Sequence, residues 1–476
     1  MAADYRGGHR RGFFGGKLTT GLRVSLENVK AVVLAAGKGV RMHSERPKVL
    51  HEVLGRPVLD FVLRNLRQAG VSDILVVVGH QADPVKAAAP GCRFVEQKEQ
   101  RGTGHALQQA EPELRGFKGD LFVVAGDAPL VGPETFRRLL EDHRANRRDA
   151  TFLSACLEDP TGYGRVVRDK ESGKFQRLVE ELDATPQEKN IPESNSGEYV
   201  FSCPAVFEAL REVKPDNKKG ELYLTDALGL LVAKGRPVDA LRSLNPNEIY
   251  GINSRRDLVA ATNFLRWKIL EHHMDNGVTV VDPSTTFIEE DVTIGQDSVI
   301  QPFTVIRRGV VIGKNCEVGP FAQLRAGTVL EDHAEIGNFV DVKRSRIGRH
   351  SKAKHLTYLG DAVLGSHVNI GAGTITANYD GVNKHPTTIE DDVHTGSNTV
   401  LVAPVRLGRG ARTGAGAVVV RGEIPAGAVA VGVPAQVIRR KRMPPPEERA
   451  RELRARGVTV VKALAKRPKA KAGGGR

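Results

Sequence analysis

Two hydrophobic textures divide this chain. From Val29 to about Arg256, short apolar runs alternate with stretches of helical spacing. Ile74–Val78 and Leu121–Val124 are unbroken aliphatic runs, as expected for strands covered on both faces, and 133–143 reads as a helix between such runs. This alternation predicts an α/β domain with a mostly parallel sheet over 29–256. Leu258, Val259, Leu265, Trp267, Ile269 and Leu270 then predict one connecting helix, which makes 257–277 a linker.

After Gly277 the spacing changes. Aliphatic-glycine pairs recur, among them Ile294-Gly295, Ile312-Gly313, Val318-Gly319, Ile336-Gly337, Ile347-Gly348 and Ile370-Gly371. Gly295, Gly313, Gly319 and Gly337 are separated by 18, 6 and 18 residues; Gly396, Gly408, Gly414 and Gly432 by 12, 6 and 18. A period of six predicts a hexapeptide-repeat parallel β-helix over 278–440, with about 18 residues per three-sided coil. The phase breaks between Gly371 and Gly396, a gap of 25 that contains Asn378-Tyr379-Asp380-Gly381-Val382-Asn383-Lys384. A loop expelled from a coil is a common place for a binding site.

Composition narrows the function classes. The 476 residues carry a net charge of +14, but residues 1–28 hold +3 of it and residues 439–476 hold +11. The body between is neutral, which argues against a nucleic-acid partner, and both basic ends (1–28 and 441–476) are expected to be disordered tails. No apolar run reaches the ~18 residues that span a membrane, and residues 1–28 lack the apolar core of a signal peptide. Cys92, Cys156, Cys203 and Cys316 lie far apart, which fits a reducing cytoplasm and no disulfide framework.

The chemistry begins at Leu34-Ala35-Ala36-Gly37-Lys38-Gly39-Val40-Arg41, closed by Pro47-Lys48. The run Val32-Val33-Leu34 reads as a buried strand. Gly37 and Gly39 open a turn whose N–H groups can approach phosphate, and Arg41 and Lys48 add two cations. Asp127 ends the run Leu121-Phe122-Val123-Val124-Ala125-Gly126, at the strand end where open α/β sheets bind ligands, and is a hard oxygen donor suited to magnesium. In the second half, His355 and Tyr358, followed by Asn369, Asn378, Tyr379 and Lys384, are polar residues on an otherwise aliphatic repeat. Acyl transfer to an amine needs a base that works near neutral pH, and His355 is the natural candidate. Arg325, Lys343 and Lys384 could hold a sugar phosphate.

The Leu34–Lys48 loop resembles the nucleotide-binding loop of the sugar-1-phosphate nucleotidyltransferases. Joined to the hexapeptide region, it resembles more narrowly the bacterial bifunctional N-acetylglucosamine-1-phosphate uridylyltransferase/glucosamine-1-phosphate N-acetyltransferases, over roughly 29–440. That resemblance implies an α/β, Rossmann-like nucleotidyltransferase domain followed by a left-handed parallel β-helix. It implies acetylation of glucosamine 1-phosphate by acetyl-CoA, then coupling of the product to UTP with Mg²⁺, in a cytoplasmic homotrimer.

For the first reaction site it implies Leu34, Ala35, Ala36, Gly37, Gln97, Gly102 and Thr103 at the nucleotide. Lys48 and Arg41 act on the phosphates, Gly164, Glu180 and Asn195 hold the sugar, and Asp127 with Asn253 holds the metal. For the second site it implies His355 as the base, with Arg325, Lys343, Tyr358, Asn369 and Lys384 at glucosamine 1-phosphate. Ala372, Asn378, Tyr379, Ser397 and Ala415 are implied at acetyl-CoA. The chain departs from the family at three places: Val40 stands where Thr is usual, the stretch between Gly277 and Phe321 is about two coils short, and Gly432 replaces an Arg of some relatives. The last departure shifts the expected CoA phosphate contacts to Arg439, Arg440 or Lys441. The alternative is a single-activity sugar nucleotidyltransferase whose β-helix only oligomerises or regulates.

Overall fold

The computed structural model describes residues 27–440; apart from Glu27 and Asn28, the two expected basic tails lie outside the described residues. The chain forms two compact units that divide between Asn263 and Phe264. The division falls inside helix Arg255–Asp275, whose start is tied to the first unit. Arg255 Nε donates to the Met42 carbonyl at 3.3 Å.

The first unit is built on a nine-stranded sheet. Its strands are β1 (Val29–Leu34), β2 (Ile74–Val78), β3 (Arg93–Glu96), β4 (Asp120–Ala125), β5 (Ala150–Cys156), β6 (Arg165–Arg168), β7 (Phe175–Val179), β8 (Glu193–Ser202) and β9 (Val238–Arg242). The path runs β9-β5-β8-β4-β1-β2-β3, with β6 bridging β8 and β7. The block β4-β1-β2-β3 is parallel, whereas β8 enters antiparallel to both β4 and β5. The aliphatic runs are unbroken because each strand feeds two cores. Ala31 and Val33 pack with Val76, Phe122 and Val124 on one face, and Val32 packs with Leu75, Val77, Leu121 and Val123 on the other. β1 sits between β2 and β4, and the C-terminal ends of such central parallel strands are where open α/β sheets bind ligands.

The second unit is a left-handed parallel β-helix. Strands of two to four residues stack into sheets of six, eight and eight strands, followed by a three-stranded end sheet. Ile288, Ile294, Ile300, Ile306, Ile312, Val318, Leu324, Leu330, Ile336 and Val342 recur every six residues and are all buried. Each such burial is worth roughly 1.5–3 kcal/mol. The coil length is not constant. Paired residues are 18 apart in Val299↔Glu317, 17 apart in Glu335↔Lys352 and 25 apart in Ile375↔Val400. The last step is the expelled loop at 378–386. The glycines of the repeat are needed where coils touch: a Cβ on Gly337 would lie 2.0 Å from the Lys354 carbonyl oxygen.

Candidate active sites

The loop after β1 turns at Gly39, whose φ is +61°. A Cβ there would lie 2.7 Å from Lys48 Cβ, so glycine lets the chain fold Lys48 back over the end of the sheet. Leu34 closes β1, Ala35 and Ala36 are buried beyond it, and Gly37 faces open space. Gly126 N–H donates to the Leu34 carbonyl at 2.9 Å, joining the ends of β4 and β1. Asp127 follows directly.

Four of the expected residues meet at this point. The Lys48 ammonium pairs with the Asp127 carboxylate and donates to Asn253 Oδ1 at 3.1 Å. Arg41 Nη2 donates to the same oxygen at 2.8 Å. Asn253 is held by Asp257, whose Oδ2 accepts from the N–H groups of Asn253 and Ser254 at 2.9 and 2.8 Å. Asp257 is thus a supporting residue that sequence reasoning missed. Its signal was a carboxylate in the first turn of a helix, four positions after the asparagine.

The segment expected at the nucleotide is assembled but internally engaged. Gln97 is buried, and its Nε2 donates to the Gly102 carbonyl at 3.1 Å and lies 3.1 Å from His105 Nδ1. Gly102 has φ +107°, and a Cβ there would meet the Leu222 carbonyl at 2.5 Å. The Thr103 hydroxyl accepts from Leu224 N–H at 3.0 Å, at the start of helix Leu224–Ala233. The segment expected at the sugar also comes together. The Gly164 carbonyl accepts from Asn195 N–H at 2.8 Å, and a Cβ on Gly164 would sit 3.6 Å from Glu180 Oε2. Burial pushes the Glu180 carboxyl up, against the hydrogen bond it accepts from Thr225 at 3.1 Å. Asn195 Nδ2 donates to the Tyr199 hydroxyl at 2.7 Å.

In the second unit, His355 lies exposed at a corner of the β-helix. Its Nδ1 is 2.8 Å from Asn338 Oδ1, and the two residues are register partners on adjacent coils. The same corner hydrogen bond recurs up the solenoid. Leu356 N–H donates to the Asn338 carbonyl at 3.0 Å, Asn398 N–H to Ala372 at 2.7 Å and Gly416 N–H to Ser397 at 2.8 Å. Ala372, Ser397 and Ala415 are therefore successive coil equivalents of His355, a column of small side chains leading away from the imidazole.

Tyr358 and Asn378 converge over Gly360, where a Cβ would lie 2.4 Å from the tyrosine hydroxyl and 2.8 Å from Asn378 Nδ2. Asn378 donates to Asp361, which also receives Arg344 at 2.7 Å. Tyr379 is exposed and bridges back to Lys384 across the expelled loop, whose turn is clamped by Asp380. Lys343 stands over Gly360 in the adjacent coil. The Arg325 guanidinium is paired with Asp341 in this structure, and Asn369 lies one coil above Lys352, away from Tyr358.

Residues 31–227 match the MobA-like NTP transferase domain, 284–385 the GMPPB C-terminal domain and 386–421 the hexapeptide repeat of succinyl-transferase. The bifunctional protein GlmU of Syntrophomonas wolfei is 43% identical over 438 residues, covering 85% of this chain and 97% of that protein. The proteins of the same name from Syntrophotalea carbinolica and Geobacillus thermodenitrificans are 44% and 42% identical over 441 residues, covering 94% and 96% of their own lengths. The chain belongs to the family of bifunctional GlmU proteins. As a GlmU-type enzyme it is a nucleotidyltransferase joined to a hexapeptide acyltransferase, and it serves UDP-N-acetylglucosamine synthesis from UTP and acetyl-CoA. No helix among the described residues is long and apolar enough to cross a membrane.

Proposed function

We propose that the β-helix site acetylates glucosamine 1-phosphate and that the α/β site then couples the product to UTP. The observation that carries this reading is the convergence of Arg41, Lys48, Asp127 and Asn253 in one unit, matched by the His355–Asn338 pair and its small-residue column in the other.

In the acetyl site the sugar ammonium must lose a proton before its nitrogen attacks the thioester carbonyl. His355 takes that proton at Nε2, while Asn338 accepts from Nδ1–H and so fixes the tautomer and the ring. The amide forms as the C–S bond breaks, and CoA leaves as the thiol. Lys343, Lys384 and Arg325 hold the sugar phosphate, with Arg325 first released from Asp341. Tyr358 orients the sugar, and the column Ala372, Ser397 and Ala415, with Asn378 and Tyr379, lets the acetyl-CoA arm lie along the coils; Asn369 stands on a different sheet of the β-helix from Tyr358 and is not used for that sugar.

In the nucleotidyl site a phosphate oxygen of N-acetylglucosamine 1-phosphate attacks the α-phosphorus of UTP, and pyrophosphate leaves. Lys48 and Arg41 stabilise the charge on the phosphates. Leu34, Ala35, Ala36 and Gly37 offer backbone to the nucleotide, and Gln97, Gly102 and Thr103 shape the base pocket. Gly164, Glu180 and Asn195 hold the sugar. The oxygens of Asp127 and Asn253 suit Mg²⁺, a hard cation that takes one or two protein oxygens plus phosphates; two side-chain cations already occupy those oxygens here. The bound ion would neutralise the phosphates of both substrates.

The same reading makes the protein a homotrimer in the cytoplasm, where UTP and acetyl-CoA are made. The stacked, half-exposed rings of Phe303, Phe321 and Phe339, with centroids 4.8 and 5.2 Å apart, lie on the corner that leads to His355 and suit contact with another copy. The test is to incubate the purified protein with glucosamine 1-phosphate, acetyl-CoA, UTP and MgCl₂ and to follow products by mass spectrometry. UDP-N-acetylglucosamine and pyrophosphate are expected. Formation of a different nucleotide sugar, or no N-acetylated product, sinks the reading.

A further inference from the structure

Glu198 is an anomaly in the first unit. It lies on β8, one residue before Tyr199, which pairs with Val123 of β4. That register sets it beside the final residues of β4, next to the turn that delivers Asp127. The side chain is wholly buried, and neither carboxyl oxygen has a hydrogen-bond partner among the described residues. Burial disfavours the charged form most; the Ser196 side chain and the Ala125 backbone lie near enough to favour it without reaching hydrogen-bond geometry, and the Asp127 charge opposes it. Other interior glutamates of this unit are satisfied. Glu193 is gripped by Arg168 at 2.7 Å and Ser154 at 2.9 Å, and Glu248 accepts from Thr135 at 2.7 Å and Ser243 at 3.2 Å. A buried acidic group without a partner in the free protein points to a partner that arrives with a ligand.

We propose that Glu198 is a second, inner carboxylate of the divalent-cation site, acting on the ion held by Asp127 and Asn253 through that ion's coordinated water. The inference rests on the reading of Asp127 and Asn253 as metal ligands. In the free protein, Lys48 and Arg41 occupy the oxygens of those two residues. When both cations turn to the phosphates, Asp127 is the one charged group among the residues read as ligands of a doubly charged ion. Magnesium-like cations keep several waters, and the groups that accept from those waters tune affinity as ligands do. Glu198, behind Asp127 and shielded from solvent, supplies the second charge where its field is least screened.

The test uses the full-length protein titrated with MnCl₂ at saturating UDP-N-acetylglucosamine, with free Mn²⁺ read by electron paramagnetic resonance. Glu198→Gln is expected to weaken Mn²⁺ binding by about 10-fold or more, the usual effect of removing an outer-shell partner, and Asp127→Asn to weaken it further. Glu198→Leu, which places an apolar side chain in an apolar setting, should melt higher than wild type without metal yet show a smaller rise in Tm on adding MnCl₂. If Glu198→Gln and Glu198→Leu bind Mn²⁺ within twofold of wild type while Asp127→Asn loses it, Glu198 has no part in the site and the metal reading stands. If Asp127→Asn also binds normally, both fall.

Discussion

At the scale of single residues, Asp127 carries the most consequence. Its carboxylate pairs with Lys48, and its backbone carbonyl accepts from Ile252 N–H at 2.9 Å, so it links the β4 turn to the Asn253 loop. Asp127→Ala is expected to lower uridylyl transfer by orders of magnitude while acetyl transfer stays near wild type; equal loss of both, with the fold intact by circular dichroism, would refute the two-site arrangement. Lys48→Ala should depress kcat more than it raises KM for UTP, because its contact with the phosphates strengthens in the transition state. Glu198 makes a pH prediction. Burial raises its carboxyl to about 8, so the folded protein holds this proton more tightly than the unfolded chain. Its contribution to stability is full below the unfolded value of 4.5, falls as pH rises, and is gone above about 8. Metal-free wild type should therefore lose Tm relative to Glu198→Gln between pH 6 and pH 9, and a constant difference would show that the carboxyl is not held neutral. Arg41, Lys48 and Asp127 were legible as candidates from their own short segments, and Asn253 only through the family resemblance. Asn338, Asp257 and Glu198 were not, since each acts on a residue whose proximity depends on register or on a loop held from outside.

At the scale of elements, the six-residue period made the β-helix readable, because a side chain pointing inward on every two-residue strand must be aliphatic in every coil. The period did not reveal that the coils carrying His355 are one residue shorter. That shortening, seen in Glu335↔Lys352 and Lys352↔Asn369, sets which residue of the preceding coil meets the imidazole. A uniform 18-residue step from His355 would have pointed to Gly337 instead of Asn338. Gly337 is where the coils touch most closely, so Gly337→Ala should destabilise the second unit by about 1–3 kcal/mol, the usual penalty for overpacking. The same displacement of the Lys354 carbonyl should disturb His355 next to it. Acetyl transfer is expected to fall well below wild type at temperatures where uridylyl transfer is unchanged, and a variant with wild-type Tm and acetyl transfer would show that the coil absorbs the methyl group freely. In the first unit the elements were likewise legible, but the use of side chains was not. Thr103 reads as a nucleotide contact in its Gly-Thr-Gly setting, whereas its hydroxyl receives the first N–H of helix Leu224–Ala233, more than a hundred residues away.

At the scale of the whole molecule, each unit has its own apolar core, one in the β-helix and two flanking the sheet. The two chemistries therefore draw on separate sets of packed residues, and N-acetylglucosamine 1-phosphate is a complete, stable product of the first and substrate of the second. This gives a prediction that no single-site variant can supply. Asp127→Ala protein should accumulate N-acetylglucosamine 1-phosphate, and His355→Ala protein, slowed about 10²–10⁴-fold in acetyl transfer by loss of its general base, should make little nucleotide sugar from glucosamine 1-phosphate. An equimolar mixture should make UDP-N-acetylglucosamine after a lag, while the freely diffusing intermediate builds up towards the KM of the second site. Supplying N-acetylglucosamine 1-phosphate at the start should abolish the lag and make His355→Ala protein as fast as wild type. Continuous monitoring of pyrophosphate release reads the uridylyl step, and release of the CoA thiol reads the acetyl step. A mixture that stays inactive although each variant keeps its remaining activity would mean that the intermediate must pass within one molecule, and a wild-type rate from His355→Ala alone on glucosamine 1-phosphate would remove His355 as the base.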